Sequence, residues 1–65
     1  MTPSNNAILT ARIVWKTARE LNTRDAWDAC FWRLDGMALL SGKEADLSYF
    51  SELREAALDM VREAK

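Results

Sequence analysis

The stretch DLSYFSELREAALDMVREAK, residues 46–65, decides how the rest of the chain is read. Phe50, Leu53, Ala57, Met60 and Ala64 recur at alternating steps of three and four, with Val61 beside them. That spacing draws one apolar stripe along a helix, while Glu52, Glu55, Asp59, Arg62 and Glu63 take more polar directions. A stripe of this kind needs another helix to cover it, from the same chain or from a second copy.

Two more segments carry the same period. Between residues 7 and 21, Ala7, Ala11, Val14, Ala18 and Leu21 form a wide face joined by Ile8 and Trp15. The alanines permit close helix approach, and Trp15 can fill a neighbouring gap. Between residues 24 and 40, Trp27, Cys30, Phe31, Leu34, Met37 and Ala38 form a second broad face, with Phe31 expected in the central core. Arg24 and Asp28 stand at i,i+4, a pair worth a few tenths of a kcal/mol.

The punctuation between these segments is polar and small. Ser4 or Asn5 can cap the first helix after Pro3. Asn22 can end it or cap the next, Thr23 offers the alternative cap, and a helix-helix corner is preferred over one bent helix. Ser41 and Gly42 stop the second helix, and Asp46 or Ser48 is expected to cap a last helix running over 47–63. Gly36 interrupts helix propensity at a cost of about 1 kcal/mol relative to alanine. Close passage of another helix or a local bend explains it best, and a turn before Met37 is the alternative.

The expected architecture is an all-α, three-helix compact domain, with helices over 7–21, 24–40 and 47–63, paired as a homodimer. A compact monomeric three-helix bundle is the alternative. Pairing is favoured because a chain of 65 residues buries a smaller fraction of its surface than a larger domain and has little stability to spare. Leu9 and Ile13 also face a second direction on the first helix. Ordinary exposure explains them, and burial against another subunit is the competing account. Phe31 and Trp32 cannot share one side of a helix, so Trp32 either packs at the core edge or anchors a partner. Tyr49 is likewise not secured to a central seam. Leu9, Ile13, Trp32 and Tyr49 are therefore the candidate protein-interface residues.

Nine basic and ten acidic side chains leave a net charge of −1, a balance that disfavours a generally basic nucleic-acid binder. Arg12, Lys16 and Arg19 nonetheless share one side of the first helix, where cations can meet phosphates. Ordinary solvation explains them best, with an acidic protein partner next, and no helix rich in base-reading side chains follows. The chain has no histidine and one cysteine, Cys30. This removes an imidazole base, a histidine-dependent triad, the usual zinc sites and an internal disulfide, and it favours an intracellular setting. Cys30 lies at core spacing with no visible activating base and reads as a buried thiol. Asp25 with Asp28, and Glu52 with Glu55 and Asp59, read as solvated helix faces. No cofactor, metal site or enzymatic activity is expected. No apolar run exceeds four residues, far short of the roughly 20 that span a membrane, and neither a signal peptide nor a membrane span is expected.

Taken along its length, the chain resembles the small helical accessory proteins from the early regions of lambda-like temperate phages. The resemblance rests on the opening MTPSNNAILTARIVWKTAREL, the segment WDACFWRLDGMALL at 27–40 and the charged final helix. It implies a regulatory role in the host cytoplasm, adjusting phage development or a host process through a protein partner, and it carries over no active residue. The functional expectation is a non-enzymatic regulator acting by protein–protein interaction. The alternative is a nucleic-acid-associated regulator that uses Arg12, Lys16 and Arg19.

Overall fold

A computed structural model describes residues 2–63. The fold begins at Ser4, whose extended backbone (φ −66°, ψ 149°) lets its hydroxyl accept the Ala7 N–H at 3.3 Å. This N-cap starts α1 (Asn5–Leu21). The helix ends at Asn22, which turns into the left-handed region (φ 45°, ψ 42°) while its N–H donates to the Ala18 carbonyl at 2.8 Å. Asparagine tolerates that conformation better than other residues with a Cβ. Thr23 returns to extended backbone, accepts the Ala26 N–H at 3.1 Å and opens α2 (Arg24–Ser41). Asn22 and Thr23 thus form a corner with one residue for each helix end. Gly42, at φ 61°, closes α2 and leads directly into α3 (Glu44–Glu63).

The two short connections reverse the chain twice, so α2 runs antiparallel to both neighbours and packs against each more extensively than they pack against one another. The result is a rod of about 35 × 16 × 16 Å, all-α and three-helical, as the periodicity predicts. Its interior is thin. The buried apolar residues are Ala7, Ala11 and Ala18 of α1, Trp27, Cys30, Leu34 and Ala38 of α2, and Phe50 and Ala57 of α3. Small side chains bring the helix backbones together, and the larger Trp15, Phe31, Met37, Leu53 and Met60 are left half-buried around them. Trp27, Leu34 and Phe50 are the large side chains that are buried, and Trp27 is the most connected of them. Its ring meets the edge of Trp15 at 6.5 Å, stacks near Phe31 at 6.3 Å and donates its Nε1–H to the Asn22 side chain at 3.2 Å.

Several local expectations need correction. The last helix starts at Glu44, three residues before the predicted Leu47, because Glu44, Ala45 and Asp46 all tolerate helix and the two acids suit its positive end. Asp46 is therefore not its N-cap. It is buried, and its carboxylate accepts the Ser4 backbone N–H at 2.8 Å and the Ser4 hydroxyl at 3.1 Å, tying the starts of α1 and α3 together. Ser48 lies inside the helix and is exposed. Phe31 sits at the core margin rather than its centre, and Leu21, counted on the apolar face of the first helix, is largely exposed. Arg24 and Asp28 do not form an ion pair; among the described residues Arg54 meets Asp35 at 3.8 Å and Arg62 meets Asp59 at 3.5 Å. A Cβ placed on Gly36 would meet no atom within 4 Å, so no helix of this chain passes close to it, and α2 continues through it without a turn. Ala64, the last residue of the predicted stripe, lies outside the described residues.

Candidate protein-binding faces

The candidate interface residues fall on separate parts of the rod. Leu9 and Ile13, one turn apart on α1, are both largely exposed. Ile13 lines a shallow groove between α1 and α2, together with Val14, Thr17 and Leu21 on one wall and Ala26, Ala29 and Arg33 on the other. Ala18 and Cys30 form its floor side, each buried. The groove encloses about 200 Å³, below the roughly 300–1,000 Å³ of small-molecule pockets. It has room for a few side chains and not for a cofactor.

Trp32 is 77% exposed and belongs to a different side of α2. Adjacent residues of a helix point about 100° apart, which turns Trp32 away from Arg33 and the groove. Trp32 shares a cleft with Asp28, Phe31, Asp35 and Arg54. There the Arg54 guanidinium sits 5.7 Å from the Phe31 ring centre and reaches toward Asp35. Leu39, one heptad on from Trp32 and hence on the same side, is 82% exposed. Tyr49 does not join either face. It is half-buried on α3, beside Phe50 at 5.9 Å, and lines a hollow with Pro3, Glu44, Ala45, Ser48 and Glu52.

Sequence reasoning passed over Leu39 and Leu40. Leu40 is 90% exposed and follows Arg33 by one heptad, on the groove side of α2. The signal was present in the run Met37-Ala38-Leu39-Leu40: four consecutive apolar residues cannot all face one core, so at least one leucine must point outward.

The three cations of α1 are exposed. Arg19 lies with its guanidinium 5.5 Å from the centre of the Trp15 ring, a cation–π contact that holds it against the protein. Arg12 and Lys16 form no ion pair among the described residues.

Cys30 is enclosed in the core, and burial pushes its thiol above the ordinary value of 9.0. Desolvation disfavours the thiolate, so the geometry makes Cys30 a weak nucleophile. Among the described residues no three His, Cys, Asp or Glu side chains gather as a metal site would require. Nor is any described helix long and apolar enough to cross a membrane. A cleft of about 420 Å³ between the α1–α2 corner and α3 is lined by Asn22, Thr23, Arg24, Trp27, Asp28, Phe31, Leu58 and Val61. Its Asn22 and Thr23 side chains are already engaged, with Trp27 and the start of α2. Comparison with protein-family models, with curated proteins and with solved structures finds no match to this chain.

Proposed function

We propose that this chain is a non-enzymatic regulatory protein that acts through protein–protein contact as a homodimer, adjusting the development of a temperate phage or a process of its bacterial host. The observation that carries this reading is the exposure of Trp32 beside the charged Asp28, Asp35 and Arg54. A tryptophan left in water is a poor choice for a monomer and a strong anchor for a partner, because it brings large contact area with few rotamers to lose. Leu39 extends the apolar contact along α2, and Asp28 and Asp35 stand at its edge. The complementary partner offers an apolar socket for the indole with basic side chains at the rim. The resemblance to early-region phage proteins supplies the setting, inside the bacterial cytoplasm.

Affinity capture from infected and uninfected bacterial extracts, followed by reconstitution with the purified partner, tests this reading. The wild-type chain should retain a specific protein, and Trp32→Ala should weaken the reconstituted complex at least tenfold without loss of helix content. Capture of nothing specific, or equal binding by the Trp32→Ala chain, contradicts it.

The second reading, contact with nucleic acid through Arg12, Lys16 and Arg19, draws support from the exposure of all three on α1. Binding to duplex DNA or single-stranded RNA that weakens steeply between two salt concentrations would favour it over the first. The balanced overall charge and the engagement of Arg19 with Trp15 weigh against it.

A further inference from the structure

We infer that Trp32 and Asp28 form a seat for one guanidinium, an arginine side chain of the protein partner, laid on the indole face and paired with the carboxylate. This rests on the reading of Trp32 as a recognition residue and names the chemistry that it recognises. Three observations carry it.

The first is a precedent within the same hollow. Asp28, Phe31, Trp32, Asp35 and Arg54 line a space of about 240 Å³. On one side of it the chain's own Arg54 places its guanidinium 5.7 Å from the centre of the Phe31 ring and its Nε 3.8 Å from the Asp35 carboxylate. Phe31 and Asp35 are four residues apart on α2, the spacing that sets a ring and a carboxylate on one side of a helix. Asp28 and Trp32 have the same spacing in the opposite order and line the same hollow. Among the described residues no cation meets either of them. Indole attracts a cation more strongly than a phenyl ring does. The chain thus fills the weaker of two like seats with its own arginine and leaves the stronger one open.

The second is charge. Asp25, Asp28 and Asp35 are all exposed, and with Trp32 they follow one flank of α2 at steps of three, four and three. Arg54 answers Asp35, while Arg24, one turn before Asp28, forms no ion pair with it. Negative charge is left over around the indole, which selects a basic side chain over an apolar or acidic one. Arginine suits the seat better than lysine, because its planar, weakly hydrated guanidinium can stack on a ring while it hydrogen-bonds a carboxylate.

The third is access. Trp32 is 77% exposed, and the residue one turn further on is Gly36, where an added Cβ would meet nothing within 4 Å. Glycine is unfavourable in mid-helix; here it leaves the approach to the ring clear.

Two-dimensional nuclear magnetic resonance on the full chain, titrated at low ionic strength with Nα-acetyl-arginine amide, tests the assignment. The Trp32 indole and Asp28 amide signals should shift together and saturate on the order of tens of millimolar, as one exposed cation–π contact and one surface ion pair allow. Nα-acetyl-citrulline amide, similar in shape but uncharged, should leave them unmoved, and Nα-acetyl-lysine amide should bind at least twofold more weakly. Asp28→Asn and Trp32→Leu should each weaken arginine binding at least threefold, with helix content retained by circular dichroism. Arg54→Gln should vacate the Phe31 seat and add a second site, seen as a new shift at the Asp35 amide. Equal shifts with citrulline, binding that lysine shares in full, or indifference to Asp28→Asn overturns the inference, as does an Arg54→Gln chain that gains no second site. A probe that fails to bind beside a Trp32-dependent partner complex removes the seat and leaves the recognition reading standing. An arginine seat in a chain that captures no protein partner does the reverse.

Discussion

Ser4 and Asp46, 42 residues apart, are joined by two hydrogen bonds that fasten the start of α1 to the first turn of α3. Ser4 is at once the cap of its own helix and the donor to a buried carboxylate, so the Ala7 N–H, the Ser4 hydroxyl and Asp46 form one chain of bonds. α1 and α3 share less contact than either shares with α2. This link therefore closes the side of the bundle where packing is weakest.

Asp46→Ala should destabilise the fold by about 1–3 kcal/mol, the cost of leaving Ser4 donors without their acceptor. Asp46→Asn, which keeps one carbonyl acceptor, should cost less. Urea denaturation followed by circular dichroism reads both. A midpoint unchanged in Asp46→Ala would show that the link adds nothing to stability.

The corner at Asn22 makes a second prediction. Its backbone is left-handed and its side chain receives the Trp27 indole N–H. Asn22→Ala loses the acceptor and puts alanine, which tolerates the left-handed region less well than asparagine, at that position, for an expected loss of about 1–2 kcal/mol. Asn22→Gly relieves the strain but not the missing bond, and should fall between the two in thermal unfolding.

The Cys30 thiol is raised by burial, which fixes the sign of its pH effect. The native state holds the proton to higher pH than the unfolded chain does, so its stabilising contribution is complete below about pH 9 and is lost as pH rises above that. Cys30→Ala should remove this part of the alkaline decline. In the wild type, reaction with a thiol reagent at pH 8 should be slow in the native state and fast in denaturant. Rapid labelling of the native chain would place Cys30 at an open surface instead.

Leu34 is fully buried at the centre of α2 and Trp32, two residues before it, is mostly in water. Leu34→Ala should cost about 2–5 kcal/mol, whereas Trp32→Ala should move stability by no more than about 0.5 kcal/mol. The contrast, read from urea midpoints, checks that Trp32 belongs to recognition and not to the core.

The three helices and most of the buried residues were legible because alanine and aromatic spacing is a local pattern, repeated every three or four positions. Asp46 was misread for the opposite reason. An aspartate just after a glycine turn looks like a cap for the helix it precedes, and no local rule reveals a serine 42 residues away. The exposure of Leu39 and Leu40 was legible but passed over, because a run of four apolar residues cannot all face one core, while Leu21 is exposed at the last residue of α1. Gly36 was read as close passage of a helix or a local bend, and among the described residues no atom lies within 4 Å of where its Cβ would be. Trp32 stood out only because its neighbour Phe31 competes for the same core.

The central claim is that the bundle leaves one apolar face for a second copy and another for recognition. A dilution series followed by two-dimensional amide and indole nuclear magnetic resonance tests it most directly. The account predicts concentration-dependent shifts at Ile13, Leu21, Ala26 and Ala29, which line one groove, with the Trp32 indole signal unmoved. Spectra that do not change on dilution, or changes centred on Trp32 and Leu39, would contradict it.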